Sequence, residues 1–249
     1  MTLRTSKDIL KSFPKTRPEL NPYILQIYED EYQKNRDGST PASFLSQFIE
    51  GWMHRCVARS NRTLDQEAKA TLEIGAGTLN QLPYENKIYN YDVVEPMIYL
   101  YDDNPNKLLV RKFFKDISEI PIHQRYDRII SVAVLEHLDN LPDMIECSIN
   151  HLNPGGVFAC GIPSEGGFLW GLAWRLTTGL EFRIRTGQDY GNIMKHEHIN
   201  DASEIETLLK HYFYSVKIKT FGLGRHFSLY RYLECRDPKI LSKINENLG

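Results

Sequence analysis

Leu72-Glu73-Ile74-Gly75-Ala76-Gly77 is the stretch on which the fold turns. Ala70 to Ile74 is a short apolar run that reads as a strand, and it empties into Gly-Ala-Gly. Glycines at a strand end let the backbone approach a ligand closely and take angles that a Cβ forbids. A second apolar run, Ile88 to Val94, ends at Glu95, which stands 20 residues after Gly75. An acidic side chain at that spacing can accept both hydroxyls of a ribose.

Working outward, the same rhythm repeats. Leu108 to Phe114 reads as a third strand, followed by Asp116, and Tyr126 to Val132 as a fourth that runs into Ala133-Val134-Leu135-Glu136-His137. Pro142 to His151 reads as a helix, and Gly155-Gly156 turns the chain into a fifth strand, Val157 to Ile162. Strands separated by helical or loop segments imply parallel crossovers and a doubly wound α/β sheet. Right-handed crossovers then collect the C-terminal strand ends on one edge, where ligands bind. Residues 163–200 break the rhythm with Gly166-Gly167, the apolar FLWGLAWRL and a Gly-, Arg- and His-containing stretch. A helix from Ala202 to His211 follows, capped by Asp201 or Asn200. Tyr214 to Phe221 and His226 to Glu234 are joined by the short Gly222-Leu223-Gly224 connection, which implies an antiparallel hairpin. The tail after Pro238 reads as a short polar helix or frayed end.

Upstream of the sheet the pattern is helical. Asn21-Pro22 and Thr40-Pro41 each place a cap residue before proline at the first helical position, where a missing N–H costs nothing. The first helix is expected from Pro22 to about Asn35. The second carries Phe44, Leu45, Phe48, Ile49, Trp52 and Met53 at 3–4 spacing, an apolar stripe suited to docking on the main domain. The expected division is a helical extension over residues 1–65 and a main domain over residues 66–249, with an insertion at 163–200 after strand five.

Composition narrows the function classes. The 249 residues carry a net charge of -2, which disfavours a nucleic-acid binder, whose backbone contacts need a basic face. No stretch approaches the roughly 20 apolar residues of a spanning helix. The N-terminal MTLRTSKDILKSF lacks the apolar core of a secretory signal, so a cytoplasmic location is expected. Cys56, Cys147, Cys160 and Cys235 lie far apart without paired metal spacing and read as reduced thiols.

The glycine loop and Glu95 alone fit NAD or S-adenosylmethionine (SAM). Asn80 occupies the place of the third glycine that a dinucleotide site wants for helix packing, and the closing hairpin is foreign to a plain dinucleotide fold. Glu73, two residues before Gly75, suits a cationic amino-acid ligand. The ordered runs LEIGAGTLN, VVEPM, KDISEIP, YDRIISVAVLEHLDN and LNPGGVFACGIPS resemble the motif set of class I, Rossmann-like SAM-dependent methyltransferases, over about residues 70–235. The Leu135-Glu136-His137 run is closest to the small-molecule and glycan branch. The resemblance implies a mostly parallel seven-stranded sheet with an antiparallel last strand. It also implies that Gly75, Ala76 and Gly77 line the methionine part of SAM with Glu73 nearby, and that Glu95 binds the ribose. Pro96 or Met97 would flank the adenine, Asp116 would take the adenine amino group, and Ile117 would give a backbone contact. Ser131, Val132 and Ala133 would line the pocket floor, with Glu136 and His137 on the substrate side. Asp116 also stands where a turn cap would. The chain departs from the family at Pro83, because proline inside a helix costs about 3 kcal/mol or more, so the first helix is expected to be short.

A hydroxyl acceptor must lose a proton during transfer, and histidine is the natural base near neutral pH. His137, His196 and His198 are the candidates, with His198 favoured because the resemblance implies a histidine facing the pocket just before the helix that precedes strand six. His196 and His198 share a side on an extended segment, but no third ligand is evident in the flanking sequence, so no metal is expected. The insertion is the expected acceptor region. Phe168, Trp170 and Trp174 suit a ring, and Arg175, Arg183 and Arg185 suit phosphate or carboxylate. The same basic residues beside an apolar helix also fit peripheral membrane contact. The expected reaction is O-methylation of a small molecule or sugar, of the surface-polysaccharide or sugar-nucleotide type. A quinone or phenol is the rival acceptor, and a non-catalytic binding module the rival of another class. The sequence does not set the oligomeric state.

Overall fold

A computed structural model describes residues 5–27, 42–63, 68–176, 178–224 and 226–239. Seven strands are present among them: β1 Ala70–Ile74, β2 Asn90–Val94, β3 Lys112–Phe114, β4 Tyr126–Val132, β5 Leu152–Pro163, β6 Phe213–Leu223 and β7 Phe227–Pro238. Their order is β3-β2-β1-β4-β5-β7-β6. Strands β1 to β5 pair in parallel, and β7 runs antiparallel to both β5 and β6. The chain winds outward from β1 to β3, then returns to begin the other half at β4. The crevice of such a sheet opens at the C-terminal ends of β1 and β4, where the winding reverses.

Both faces of the sheet are covered, which is why the parallel strands read as nearly continuous apolar runs. Side chains alternate between the faces. Leu72, Ile74 and Ile129 join one core with Ile145 of α4 (Leu141–His151), Leu208 of α8 (Ala202–Tyr212) and Ile9 of α1 (Ser6–Leu10). Val93, Ile130 and Ala159 join the other with Cys56 and Val57 of α3 (Ala42–Arg59). Helix α3 sits hard against β5: a Cβ added to Gly161 would lie 2.2 Å from Met53 Cγ. Trp52 meets Phe221 of β6 edge-on at 5.4 Å. Of the expected apolar stripe, Ile49 and Met53 are buried and Trp52 is half-buried. The side chains of Phe44, Leu45 and Phe48, and the Thr40-Pro41 cap, lie outside the described residues.

Helix α2 is described over residues 22–27, and Asn21 Oδ1 accepts from Ile24 N at 3.0 Å, as the cap reading required. The remainder of the helix expected to Asn35, and the tail from residue 240, lie outside the described residues. The insertion folds as α5 (Phe168–Leu176), α6 (Thr178–Thr186) and α7 (Gly191–Glu197).

Three local expectations are corrected. The third strand does not begin at Leu108: Asn104 Oδ1 accepts from Asn106 N at 2.9 Å and starts a 3₁₀ turn over Pro105–Leu109, leaving Lys112–Phe114 as strand. No α-helix follows the glycine loop. Pro83 lies within a 3₁₀ turn, Leu82–Tyr84, and the chain then extends. Gly222-Leu223 belongs to β6 rather than to the connection, with Gly222 at φ 130° where the pairing register slips. Among the described residues, no helix is long and apolar enough to cross a membrane.

Candidate functional site

The glycine loop and the end of β2 hold one another in place. Gly75 has φ 68° and donates to Val94 O at 2.8 Å, and Gly77 has φ 51°. Glu95 is buried, and its carboxylate accepts from Gly77 N through Oε2 at 2.8 Å and from Met97 N through Oε1 at 3.0 Å. Each oxygen keeps a lone pair for a ligand hydroxyl. A cleft of about 1120 Å³ runs past this carboxylate, walled by Gly75, Gly77, Pro96, Met97, Asp116, Ala133, Val134 and His137. A smaller pocket of about 370 Å³ shares Gly75, Gly77 and Ala133 with it and adds Glu50, His54, Glu73, Ala76, Val132 and Tyr230. Ala133 sits at φ 53°, a conformation that L-residues adopt at a cost and that clusters at ligand sites.

Glu73 points to the α3 side of the sheet, where Tyr91 Oη donates to its Oε2 at 2.8 Å. Burial pushes its pKa up to about 7 despite that hydrogen bond. Behind it lies a buried polar network. Arg128 Nη2 is 2.7 Å from Glu85 Oε1, and both side chains are almost fully enclosed. Gln81 Nε2 donates to the same Glu85 oxygen at 2.7 Å, and His54 Nδ1 lies 2.8 Å from Gln81 Oε1. Burial lowers the His54 pKa, and its ring stacks on Tyr84 at 5.0 Å. The network ties α3 to the glycine loop through side chains instead of a helix.

On the far side of Ala133 the chain makes a 3₁₀ turn, Leu135–His137. The segment after α7 is fastened to it. Ile199 N and Asn200 N both donate to Glu136 O, at 3.0 and 3.1 Å, and Asn200 Nδ2 donates to Leu135 O and Leu138 O. This fastening brings the His137 and His198 rings to 4.9 Å. His137 Nδ1 is 2.8 Å from Glu197 O, and His198 Nδ1 is 3.1 Å from Glu165 Oε2. Burial opposes a charge on His137, but the Glu197 contact and the Glu136 charge outweigh it and raise the pKa. Burial likewise raises the pKa of Glu136, against the pull of both histidines. Glu136 is 1% exposed, and its Oε2 has no hydrogen-bond partner. His137 faces the large cleft, whereas His198 faces a pocket of about 540 Å³ bounded by Trp170, Trp174, Arg175, Arg183 and Lys195 of the insertion. Trp170 reaches 5.3 Å from Tyr230, which lines the smaller pocket beside the glycine loop. The two ends of the site thus meet at Tyr230, Trp170 and the histidine pair.

The residues singled out from sequence are placed unequally. Gly75, Ala76, Gly77, Glu73, Glu95, Pro96, Met97, Val132 and Ala133 line the joined clefts. Asp116 does so too while capping the next turn, its Oδ1 accepting from Ser118 N at 2.9 Å and from Ser118 Oγ at 2.6 Å. Ile117 packs its side chain into the core, and Ser131 is fully buried with no partner for its Oγ. His196 is not with the other two histidines: its Nδ1 lies 2.8 Å from Pro18 O on an exposed edge. The expected sharing of a side by His196 and His198 fails because α7 ends between them, at Glu197. Sequence reasoning missed Arg17, whose Nη2 donates to His137 O at 2.6 Å from the N-terminal segment, and the carboxylates Glu165 and Glu197. None of these stands in a motif.

A family model described as a methyltransferase domain matches residues 42–214. A search of curated proteins found no match. Among solved structures, the plantazolicin methyltransferase BpumL in complex with S-adenosylhomocysteine (SAH) aligns with a TM-score of 0.56 at 14% identity, over 93% of this chain and 95% of that one. A SAM-dependent methyltransferase from Thermotoga maritima aligns with a TM-score of 0.54 at 15% identity, over 86% and 98%. The N-methyltransferase NodS from Bradyrhizobium japonicum WM9, in complex with SAH, gives 0.52 at 15% identity, over 81% and 90%. At these identities the likeness is one of fold.

Proposed function

The chain belongs to the methyltransferase-domain family, and we propose that it transfers the methyl group of SAM to a hydroxyl of a small ring-bearing acceptor that carries an anionic group. SAM supplies a methyl activated on a sulfonium. The residues present fit it. The Glu95 carboxylate keeps lone pairs for two ribose hydroxyls, and Glu73 offers a buried carboxylate at the amino-acid end. Pro96, Met97, Val134 and Leu138 give the apolar walls that a purine needs, and Asp116 stands at the same cleft to accept from its amino group.

The observation that carries the acceptor reading is the junction of the cofactor clefts with the insertion pocket at His137 and His198. A hydroxyl must lose its proton as the new bond forms, whereas an unprotonated amine need not, so a buried glutamate with two half-buried histidines beside the cofactor suits oxygen. His198, oriented by Glu165, is the side chain on the acceptor side that promotes loss of that proton. Trp170 and Trp174 stack a ring, while Arg183 and Lys195 hold phosphate or carboxylate. A sugar of the nucleotide-linked or lipid-linked kind meets both requirements, and an anionic phenol is the second acceptor class that does.

Calorimetry with SAH, SAM and NAD, followed by transfer of labelled methyl to panels of sugar nucleotides, phenols and amines, tests this reading. SAH binding and methyl recovered on oxygen are expected. His198→Ala should lower turnover by about 10²–10⁴-fold, the usual worth of an acid–base group, with SAH affinity unchanged. Binding of NAD without SAH, or methyl recovered on nitrogen, would refute it.

A further inference from the structure

Glu136, His137 and His198 each bring a ligand-type atom within 4.8 Å of the other two. Neither the 3₁₀ turn after β4 nor the end of α7 makes this group alone; the hydrogen bonds of Ile199 and Asn200 to Glu136 O assemble it. Two features go beyond mere proximity. Both imidazoles have Nδ1 engaged by an oxygen, Glu197 O for His137 and Glu165 Oε2 for His198, which leaves Nε2 as the nitrogen each ring has to offer. An imidazole backed by a carbonyl or carboxylate is the arrangement that orients histidine metal ligands. The Nε2 of His137 is 3.9 Å from Glu136 Oε1. The second feature is Glu136 itself, 1% exposed, with an Oε2 that no donor reaches. A buried carboxylate oxygen in that state is costly unless a cation or donor meets it.

We propose that Glu136, His137 and His198 form a binding site for one first-row divalent cation at the acceptor end of the methyltransferase cleft. Two imidazoles and one carboxylate match zinc, cobalt or iron(II) rather than the all-oxygen shells of magnesium and calcium. Three protein ligands leave a position open, and the site adjoins both the cofactor cleft and the insertion pocket. The inference rests on the acceptor reading above in one respect: the open position is where the acceptor hydroxyl would bind. There the cation lowers the hydroxyl's pKa and its proton passes to solvent, so His198 acts through the cation instead of taking the proton itself.

The test is titration of the chelator-stripped full chain with Co²⁺, followed by its visible d–d absorption, and with Zn²⁺ in competition. One equivalent per chain is expected. His198→Ala and Glu136→Gln should each weaken Co²⁺ binding by more than the roughly 10–100-fold that loss of an outer partner costs, and Glu165→Gln by about that amount. His196→Ala should leave it unchanged. If Glu136→Gln does not fold, His198→Ala carries the test, with SAH binding as the control for folding. Absence of Co²⁺ absorption, or binding that persists unchanged in His198→Ala, would overturn the site. Methyl transfer that survives complete chelation removes the cation and leaves the acceptor reading standing. Cation binding without any methyl transfer to oxygen does the reverse.

Discussion

Replacing Gly75 by alanine isolates what the glycine loop contributes. Gly75 has φ 68°, so any L-residue there pays the left-handed penalty of roughly 1–2 kcal/mol. Space is the second cost. The new Cβ would lie 2.4 Å from Val134 Cγ2 and 2.7 Å from its Cγ1, about 1 Å inside ordinary carbon contact of roughly 3.5 Å. Val134 must retreat, and it adjoins Ala133, already held at φ 53° beside the cofactor cleft. Overpacking of this kind costs about 1–3 kcal/mol, so Gly75→Ala should destabilise by roughly 2–5 kcal/mol in all. Gly77 supplies the control. It has φ 51°, but a Cβ there meets nothing within 4 Å, so Gly77→Ala should cost only the backbone part, about 1–2 kcal/mol. Urea unfolding gives the stabilities and calorimetry the SAH affinity. SAH affinity should fall by at least about tenfold in Gly75→Ala, which is 1.4 kcal/mol, and the added Val134→Ala change should restore most of that loss. Equal stability and equal SAH affinity for Gly75→Ala and Gly77→Ala would refute the steric argument. So would a Gly75→Ala/Val134→Ala protein no better than Gly75→Ala.

Three further outcomes follow from the buried charges. Glu73 has its pKa raised from 4.5 to about 7 by burial, so the folded state binds the extra proton between those values. The resulting penalty is absent below pH 4.5, grows as pH rises, and is complete above pH 7. Glu73→Gln keeps an acceptor for Tyr91 Oη and should therefore be more stable than wild type at pH 8, by up to about 3 kcal/mol, with the gap closing at pH 4 in urea titrations. A gap that does not change with pH would contradict this. Glu85→Ala leaves Arg128 buried without its partner and should cost about 3–5 kcal/mol by urea unfolding, and Glu85→Ala/Arg128→Met should recover much of it. Glu95→Ala removes the acceptor of two backbone amides as well as the proposed ribose contact, and should lower SAH affinity by tenfold or more in calorimetry, since charge-assisted bonds are worth about 1.5–3 kcal/mol each. Full SAH affinity in that variant would remove Glu95 from the site.

The alternation of apolar runs with glycine turns contained the doubly wound parallel sheet, the closing antiparallel hairpin and the ligand edge. These depend on local pattern and on the handedness of crossovers, both written along the chain. Gly75, Glu95, Pro96 and Asp116 were legible for the same reason, because each terminates or follows a strand and the strand carries it to one edge. Pro83 announced a shortened helix, since a proline acts on its own turn, but not its complete replacement by a 3₁₀ turn. Strand three misled because Leu108 and Leu109 are apolar yet exposed in a 3₁₀ turn that Asn104 and Pro105 start.

Only the tertiary structure decided the histidine cluster at the proposed acceptor end. His137 and His198 are brought together by Asn200 and Ile199 gripping the Glu136 region across some 60 residues of chain, a pairing that no spacing rule contains. The same holds for Glu165, Glu197, Arg17 and Tyr230, which reach the site from an insertion, a helix end, the N-terminal segment and a reversed strand. A strand-end glycine owes its place to its neighbours in sequence. A half-buried histidine owes its place to whatever packs and hydrogen-bonds against it, and for His198 those partners are Glu165 and Trp170, nearly 30 residues or more away along the chain.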